Sequence, residues 1–350
     1  MPNIMLTDVC NLRCPYCFAN EFVNKDANEI SFENFKKALD FIASDPNEKS
    51  VGLIGGEPTI HSKFREILKY LIDDQRFARV IVYTNGIKIN EFVDELSHPK
   101  FTFLINCNDI PDIGEKNFNR LLNNLDLFIN ERYMKDRISL GINFYKPDFN
   151  YEYILNILKK YNLDRLRFSV TVPNTVDNKN INALEYFSKY KEPILKFYKV
   201  MVENKIIPYY DCNKIPSCMF TKEDFLPYQN LIPNFDENNI FSNPNERLIV
   251  NDLVHCSPVV DIRHDLTAVR CFGLSDVTKV KISDFENIRE LKQYYYHMVD
   301  AFASNSASSP LCLDCKKRKN GKCFGGCLAF KINDILELRK YSEEIIRRKE

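Results

Sequence analysis

The chain has 350 residues and a formal net charge of zero, with 48 Lys and Arg against 48 Asp and Glu. This balance disfavours a basic nucleic-acid binder, and no apolar run reaches the roughly 18 residues that a membrane span needs. The first residues lack the basic start and apolar stretch of a signal peptide, so we expect a cytoplasmic protein with no membrane or nucleic-acid partner. In a reducing compartment, 12 cysteines indicate metal or cluster ligation rather than disulfides.

Through about the first two hundred residues, short runs of β-branched or aromatic residues alternate with helical periods, which are segments whose apolar residues lie three and four positions apart. The runs predict strands over residues 3–6, 50–54, 80–84, 101–106, 138–144 and 165–172. The helical periods between them start at Phe32, Phe64, Phe118 and Ile154, and Ser31 is the expected N-cap of the first helix. A longer helical stretch over residues 182–204, interrupted at Pro193, ends this part of the chain.

Strands that alternate with helices predict an α/β fold, in which right-handed crossovers give an open or barrel-like parallel sheet. Reactive groups of such folds collect at the carboxyl ends of the strands. After Ile207, Pro, Asn, Asp and Ser become frequent and the cysteines return. Residues 303–310 indicate a surface loop, and an amphipathic helix carrying Leu328, Ile332, Ile335 and Leu338 is expected to close the chain.

The first cysteine group, Cys10, Cys14 and Cys17, has the spacing C-x3-C-x2-C and directly follows the first predicted strand. Soft sulfur ligands select iron–sulfur clusters or zinc. Three thiolates leave one iron of a four-iron cluster open, whereas a structural zinc ion normally takes a fourth protein ligand. A zinc knuckle with a distant fourth ligand therefore remains an alternative.

Two glycine-containing turns follow the next two strands, GGEPT at residues 55–59 and TNG at residues 84–86. Glycines at these positions can expose backbone amides and carbonyls to a ligand, and Glu57 can accept from a cationic amine. An isolated GGEP is more often a tight turn with a solvated glutamate. Here GGEPT follows the second predicted strand just as the cysteine loop follows the first, and the two motifs together are far more specific than either alone.

Together these motifs resemble the radical S-adenosylmethionine (radical SAM) superfamily over about residues 1–205. The resemblance implies a partial (β/α)6 TIM-type barrel and a four-iron cluster on the three cysteines, with S-adenosylmethionine (SAM) chelating the open iron. It also implies that one electron cleaves SAM to methionine and a 5′-deoxyadenosyl radical, which abstracts hydrogen from the substrate. The residues that it implies around SAM are Tyr16, Gly55, Gly56, Glu57, Pro58, Thr84, Asn85, Asn106 and Asn143. The last two asparagines lie on predicted strands, where they can equally satisfy neighbouring backbone groups.

Nine further cysteines follow, of which Cys107 in an apolar strand is expected to be a buried, inert thiol. The spacing C-x14-C, then C-x2-C-x7-C-x3-C, resembles the SPASM region, which holds auxiliary clusters in radical enzymes that mature peptides. The match departs from that pattern, because Leu266 replaces a glycine, the second run is two residues longer and two customary cysteines are missing. We predict one auxiliary cluster on Cys256, Cys271 and Cys327, another on Cys312, Cys315 and Cys323, and Cys212 and Cys218 completing one or both.

A zinc ribbon is the alternative for the last cysteine run. The predicted domains are a radical SAM barrel at 1–208, a bridging region at 209–255 and an auxiliary-cluster domain at 256–350 with the C-terminal helix. The basic run at residues 316–322 suits an acidic flavodoxin or ferredoxin as electron donor. Tyr209, Tyr210 and Asp211 are candidates for a proton or electron step, although a folded turn explains them equally well.

The leading functional expectation is a radical enzyme that cross-links or oxidises a ribosomally made peptide. Since only one strand precedes Cys10, we expect no N-terminal peptide-recognition domain. A radical dehydrogenase or epimerase of a small molecule is the second candidate. The third is a non-enzymatic iron–sulfur or zinc protein, which would have no need of an amine-binding turn. The sequence identifies no catalytic acid or base.

Overall fold

The computed structural model describes residues 1–17, 19, 23–171, 182–210, 212–213, 215–221, 223–224, 256, 259–271, 278–301, 306–321, 323 and 325–331. The chain divides into two compact units that interleave along the sequence. The first comprises Met1–Ile142, Asn156–Leu163 and Pro258–Tyr295, and the second comprises Asn143–Leu155, Asp164–Ser257 and Tyr296–Glu350. The contiguous domain boundaries expected from the sequence stay a prediction.

Ten strands are described, and the first six correspond to the strands predicted from the β-branched and aromatic runs. They are β1 Pro2–Met5, β2 Ser50–Ile54, β3 Arg79–Thr84, β4 Phe101–Asn106, β5 Ile138–Phe144, β6 Arg165–Val170, β7 Ile207–Tyr210, β8 Val260–Ile262, β9 Thr267–Val269 and β10 Val280–Lys281. In the first unit the order is β10-β9-β8-β1-β2-β3-β4-β5, with parallel pairing from β8 through β5. The sheet of this unit is open, and the prediction of a parallel α/β fold of the partial TIM type is confirmed.

Ten α-helices are described, and the longer ones each bury an apolar stripe. They are α1 Phe32–Ala43, α2 Phe64–Asp73, α3 Val93–Leu96, α4 Ile110–Ile113, α5 Glu115–Asp126, α6 Glu152–Lys160, α7 Ala183–Ser188, α8 Lys191–Glu203, α9 Ile288–Tyr295 and α10 Lys316–Lys319. Ser31 caps α1 as expected, since its side chain accepts a hydrogen bond from the Asn34 amide. Among the described residues, no helix is both long and apolar enough to cross a bilayer.

The second unit is built around β6 and β7, which pair in parallel, and around a cluster of aromatic side chains. Phe144 packs against Phe168 and Phe197, with ring centroids 6.2 and 5.0 Å away. The predicted interruption of the long helix at Pro193 is wrong, because the break lies between α7 and α8 and Pro193 falls in the first turn of α8. A proline is tolerated there because the opening amides of a helix have no partner inside it.

The strands β8 and β9 form an antiparallel pair joined by a tight turn. Leu266 lies in that turn with φ 60°, and its amide donates to the carbonyl of Arg263. Leu266 is the position at which the SPASM pattern has glycine, and the left-handed conformation that favours glycine is kept without it. The residues of the predicted C-terminal helix beyond Lys331 lie outside the described part of the chain.

Candidate functional site

The first cysteine loop follows β1 and is anchored by one apolar side chain. Leu12 is buried with Ile87 and Ile113, and Cys10 and Cys14 pack against this small cluster. The amide of Cys10 donates to the Asn24 side chain at 2.8 Å. Leu12 therefore fixes the middle of the loop, while its three thiols stay half-buried at the carboxyl end of the parallel sheet.

The glycine turn after β2 packs directly on this loop. The Gly56 amide donates to the carbonyl of Thr7 at 2.7 Å, and the Glu57 amide donates to the carbonyl of Val9 at 2.8 Å. A Cβ at Gly56 would lie 2.2 Å from the Val9 oxygen, so only glycine fits this close approach. The expectation that these glycines expose amides to a ligand is wrong for Gly56, because the contact between the two backbone segments uses its amide.

The carboxylate of Glu57 is buried and joins the ends of β2 and β3. Its Oε1 accepts from the Thr59 hydroxyl at 2.7 Å and from the Thr84 hydroxyl at 2.6 Å, and also from the Thr59 amide at 3.3 Å. Its Oε2 accepts from the Asn85 amide at 2.7 Å. Burial raises the pKa of Glu57, while these hydrogen bonds oppose the rise. Glu57 is therefore a clamp within the protein rather than a solvated side chain.

Polar groups surround the three thiols and aim donors at the sulfur atoms. The Leu12 amide donates to the Cys10 sulfur at 3.4 Å, and Asn108 Nδ2 donates to the Cys14 sulfur at 3.5 Å. The Tyr16 hydroxyl donates to Asn108 Oδ1, which fixes the orientation of that amide. Donors of this kind stabilise thiolate sulfur and tune the potential of iron–sulfur clusters.

The asparagines on either side of the loop extend this network. Asn85 Nδ2 donates to Asn11 Oδ1 at 2.7 Å, and the Ile87 amide donates to Asn85 Oδ1 at 3.1 Å. The turn after β3 is thereby tied to the cysteine loop. Tyr16, Glu57, Thr84 and Asn85, which the sequence singles out from distant segments, thus belong to the structure around the three cysteines.

Burial disfavours the thiolate form of all three cysteines. Burial raises the pKa of Cys10 to about 11 and that of Cys14 to about 12, and it also raises the pKa of Cys17. A metal that binds thiolates would displace these protons and neutralise the charge that burial disfavours. Among the described residues, no three His, Cys, Asp or Glu side chains are arranged to hold a single metal ion. The set of three thiols with nearby N–H donors fits a cluster, whose irons are each held by one thiolate.

The two strand asparagines differ in how their side chains are used. Asn106 Oδ1 at the end of β4 is buried and has no hydrogen-bond partner among the described residues. An unpaired buried carbonyl is costly unless a ligand supplies a donor, which favours a binding role for Asn106. Asn143 belongs to the second unit, where its Oδ1 accepts from Arg167 at 2.9 Å and from Ser169 at 2.6 Å.

Four cysteines of the second unit share one neighbourhood. The thiol of Cys218 lies close enough to Cys312, Cys315 and Cys323 for their charges to interact. This interaction and burial, which has the larger effect, raise the pKa of Cys218 to about 11. Cys218 thus lies near three cysteines of the last run. The roles of the eight later cysteines as ligands stay predictions: Cys212, Cys218, Cys256, Cys271, Cys312, Cys315, Cys323 and Cys327.

The remaining candidates from the sequence are Cys107, Tyr209, Tyr210 and Asp211. Cys107 is 1% exposed, and burial raises its pKa to about 12, as expected for an inert core thiol. Tyr209 is half-buried on β7, and Asp211 lies outside the described residues. The sequence reasoning missed Asn108, although its place just after β4, at the carboxyl end of the sheet, was a usable signal.

Residues 4–132 match the family model of the Radical SAM superfamily. Over 90 residues the chain is 39% identical to 7,8-dihydro-6-hydroxymethylpterin dimethyltransferase of Methanocaldococcus jannaschii, which covers 25% of this chain and 18% of that protein. Over 165 residues it is 29% identical to GTP 3',8-cyclase of Clostridium perfringens, which covers 44% of this chain and 49% of that protein. The chain thus spans at most about half the length of these relatives.

Among solved structures, Streptococcus suis SuiB bound to precursor peptide SuiA is similar with a TM-score of 0.56 at 18% identity. The similarity covers 93% of this chain and 71% of SuiB, and at this identity it shows the fold alone. The family match, in contrast, rests on sequence. Since the matched segment contains both the cysteine loop and the glycine turn that packs on it, the chain carries a radical SAM domain over residues 4–132.

Proposed function

We propose that the chain is a radical enzyme in which Cys10, Cys14 and Cys17 hold a four-iron cluster and SAM binds its open iron. The observation that carries this proposal is the contact between the cysteine loop and residues 55–57, because it brings the two halves of the motif into one site. When bound, the two cofactors supply a 5′-deoxyadenosyl radical that removes hydrogen from the substrate. The protein's part is to orient the groups and to exclude water.

The residues around the loop divide this work between them. Since the Glu57 carboxylate already accepts four hydrogen bonds, we assign the SAM amino group to backbone carbonyls of the turn formed by Gly55, Gly56, Glu57 and Pro58. Asn106 Oδ1 is a free acceptor for a SAM hydroxyl or amino group. Asn85 and Tyr16 hold the cysteine loop in place, and Asn143 stays a candidate of the second unit.

A ribosomally made peptide is the substrate that we favour, with oxidative cross-linking or side-chain oxidation as the reaction. Two features support it: the fold likeness to SuiB, which was crystallised with a precursor peptide, and the second cysteine group. After hydrogen abstraction the substrate radical must lose one electron, and an auxiliary cluster can accept it, being reduced as the substrate is oxidised. The electron then leaves the auxiliary cluster to an oxidised ferredoxin or flavodoxin, whose reduced form is the donor of the electron that cleaves SAM.

A small-molecule substrate is the second candidate, since two curated relatives act on a nucleotide and a pterin by name. One experiment separates the two. The reconstituted enzyme is incubated anaerobically with SAM, dithionite and short peptides encoded beside it, and the peptides are weighed by mass spectrometry. A SAM-dependent loss of about two hydrogen masses supports the peptide, and unchanged peptides together with turnover of GTP or a pterin support the small molecule.

The electron donor is expected to dock near the second cysteine group. The helix α10 directly follows Cys315 and carries exposed Lys316 and Lys319, and Leu311 and Leu313 beside it are 77% and 58% exposed. A basic patch with an apolar rim suits an acidic redox protein. Reduction by flavodoxin should slow steeply with added salt in the native chain, and reversal of Lys316 and Lys319 to Glu should abolish that dependence.

A further inference from the structure

The strand β6 of the second unit has one apolar face and one polar face. Leu166, Phe168 and Val170 are buried, and the Phe168 ring lies 5.2 Å from that of Phe197 on α8. Because successive side chains of a strand point to opposite faces, Thr171, directly after the strand, belongs to the polar face. It also lies at the carboxyl end of a parallel strand, where folds of this class bind ligands.

The backbone of Thr171 is hydrogen-bonded on both sides. Its amide donates to the carbonyl of Phe144 at 2.9 Å. Its carbonyl accepts from the Tyr186 hydroxyl at 2.5 Å and from Asn213 Nδ2 at 3.1 Å. Asn213 Nδ2 also donates to the carbonyl of Val170 at 2.9 Å. Two carbonyls therefore hold the side-chain NH2 group of Asn213 and determine which way this amide is turned.

Two polar side-chain atoms remain at this place. Within the described part of the chain, neither Asn213 Oδ1 nor the Thr171 hydroxyl has a hydrogen-bond partner, and both atoms are shielded from water. Asn213 itself is only 5% exposed. Since a buried oxygen without a partner is costly, these two atoms indicate a site whose ligand supplies the missing partners. Asn213 Oδ1 can only accept and a threonine hydroxyl can donate, so a ligand with one donor and one acceptor is complementary to them.

This end of β6 lies beside the last cysteine run. The helix α7 carries Tyr186 and Phe187, whose rings lie 5.5 and 5.3 Å from the ring of Phe330. The Phe330 amide in turn donates to the carbonyl of Cys327 at 3.3 Å. A group bound at the end of β6 is therefore close to a predicted ligand of the auxiliary clusters, to which the proposed reaction passes the substrate's electron.

We propose that the end of β6 binds an amide group of the substrate, with Asn213 Oδ1 accepting from its N–H and the Thr171 hydroxyl donating to its carbonyl. A peptide bond presents this pair of groups, and so does the lactam edge of a guanine or pterin ring. The inference rests on the proposed function, which it deepens by naming residues that hold the substrate, and it applies to both substrate candidates. Since the site is shielded from water, each hydrogen bond to the amide is stronger than it would be at the surface.

Thr171→Val tests the proposal because it removes the hydroxyl and keeps the branched shape of the side chain. The full-length chain is reconstituted anaerobically and supplied with SAM but no reductant. Isothermal titration calorimetry then gives the dissociation constants of two probes, a short peptide encoded beside the chain and GTP. We expect Thr171→Val to weaken binding of the substrate probe about tenfold. Thr171→Ser should bind as the native chain does, and so should Thr221→Val, whose hydroxyl belongs to an exposed residue of the same unit.

A stability measurement separates this role from a structural one. In urea unfolding without substrate, Thr171→Val should be at least as stable as the native chain, because the hydroxyl that it loses has no partner there. Asn213→Gly is the second variant, since Asn213 has a φ of 47°, which glycine adopts without strain. It removes the acceptor and should also weaken binding about tenfold.

Unchanged affinity for both probes in Thr171→Val overturns the inference, and so does a native chain that binds neither probe. Weaker binding of SAM with unchanged binding of the probes assigns the site to the cofactor and overturns it as well. Weaker binding of GTP alone supports the amide site and refutes the peptide as substrate.

These readouts also separate the inference from the proposed radical chemistry. If Thr171→Val weakens probe binding but the native chain forms no 5′-deoxyadenosine from SAM, the inference holds and the proposed function fails alone. If the native chain forms 5′-deoxyadenosine and modifies the peptide while Thr171→Val binds it as tightly, the inference fails alone.

Discussion

Replacing Glu57 tests whether its carboxylate is a structural clamp. In the folded protein this buried group accepts four hydrogen bonds, from Thr59, Thr84 and Asn85. In Glu57→Gln the side-chain NH2 must face at least one of these donors, whichever way the amide is turned. The Asn85 amide loses its acceptor if the oxygen stays with the two threonines. We therefore expect a loss of stability even in protein without cofactors.

The size of the effect follows from the donors left without a partner. A buried N–H group without an acceptor costs about 1–3 kcal/mol, while removing a buried charge offsets part of this cost. We expect a net loss of about 2 kcal/mol for Glu57→Gln and about 4 kcal/mol for Glu57→Ala, which leaves all four donors unpaired. Thr84→Val combined with Glu57→Gln should deviate from additivity by about 1 kcal/mol, because both changes remove the same hydrogen bond.

The assay is urea unfolding of the iron-free chain, followed by circular dichroism in the absence of SAM. Glu131→Gln is the matched control, since Glu131 is exposed and its replacement should shift the free energy of unfolding by less than about 0.5 kcal/mol. Glu57 variants as stable as this control would refute the clamp. The carboxylate would then be free for a ligand, contrary to its hydrogen bonds in the structure.

Three further changes probe other contacts. Asn108→Leu removes the N–H donor to the Cys14 sulfur. It should lower the potential of the SAM-binding cluster by about 40 mV, equivalent to about 1 kcal/mol, in an EPR titration. An unchanged potential would contradict the role of Asn108 as a donor to the cluster. Gly56→Ala places a methyl group 2.2 Å from the Val9 oxygen and should cost about 3 kcal/mol in urea unfolding. Lys100→Met removes an ammonium that donates to three carbonyls at the end of α2 and should cost about 2 kcal/mol in the same assay. Native stability of the Gly56 or the Lys100 variant would contradict the contact made by that residue.

The strands were predictable because their apolar runs are short and bounded by turn residues. The bounds predicted for β2, β4 and β5 match the structure, and the Ser31 cap was visible as a hydroxyl before an apolar period. The break before Pro193 was not predictable from that residue, because a proline is compatible with the first turn of a helix as well as with its end. Tertiary packing decides between the two positions.

The candidate site was predictable in its residues but not in their roles. The sequence places Glu57 after the strand that follows the cysteine loop. It does not show that Thr59, Thr84 and Asn85 donate hydrogen bonds to the Glu57 carboxylate. In the same way, the amide of Gly56 was expected to face a ligand, whereas in the structure this amide and the lack of a side chain serve the contact with Thr7 to Val9. Contacts between residues far apart in sequence carry no local signature.

The central claim is that Cys10, Cys14 and Cys17 hold a cluster that cleaves SAM. Its most direct test is the amount of 5′-deoxyadenosine formed when the anaerobically reconstituted chain is reduced with dithionite and given SAM. We predict product from the native chain and from Cys107→Ala, whose thiol is buried outside the site, and none above background from Cys14→Ala. No product from the native chain with its cluster intact, or equal product from Cys14→Ala, would contradict the claim.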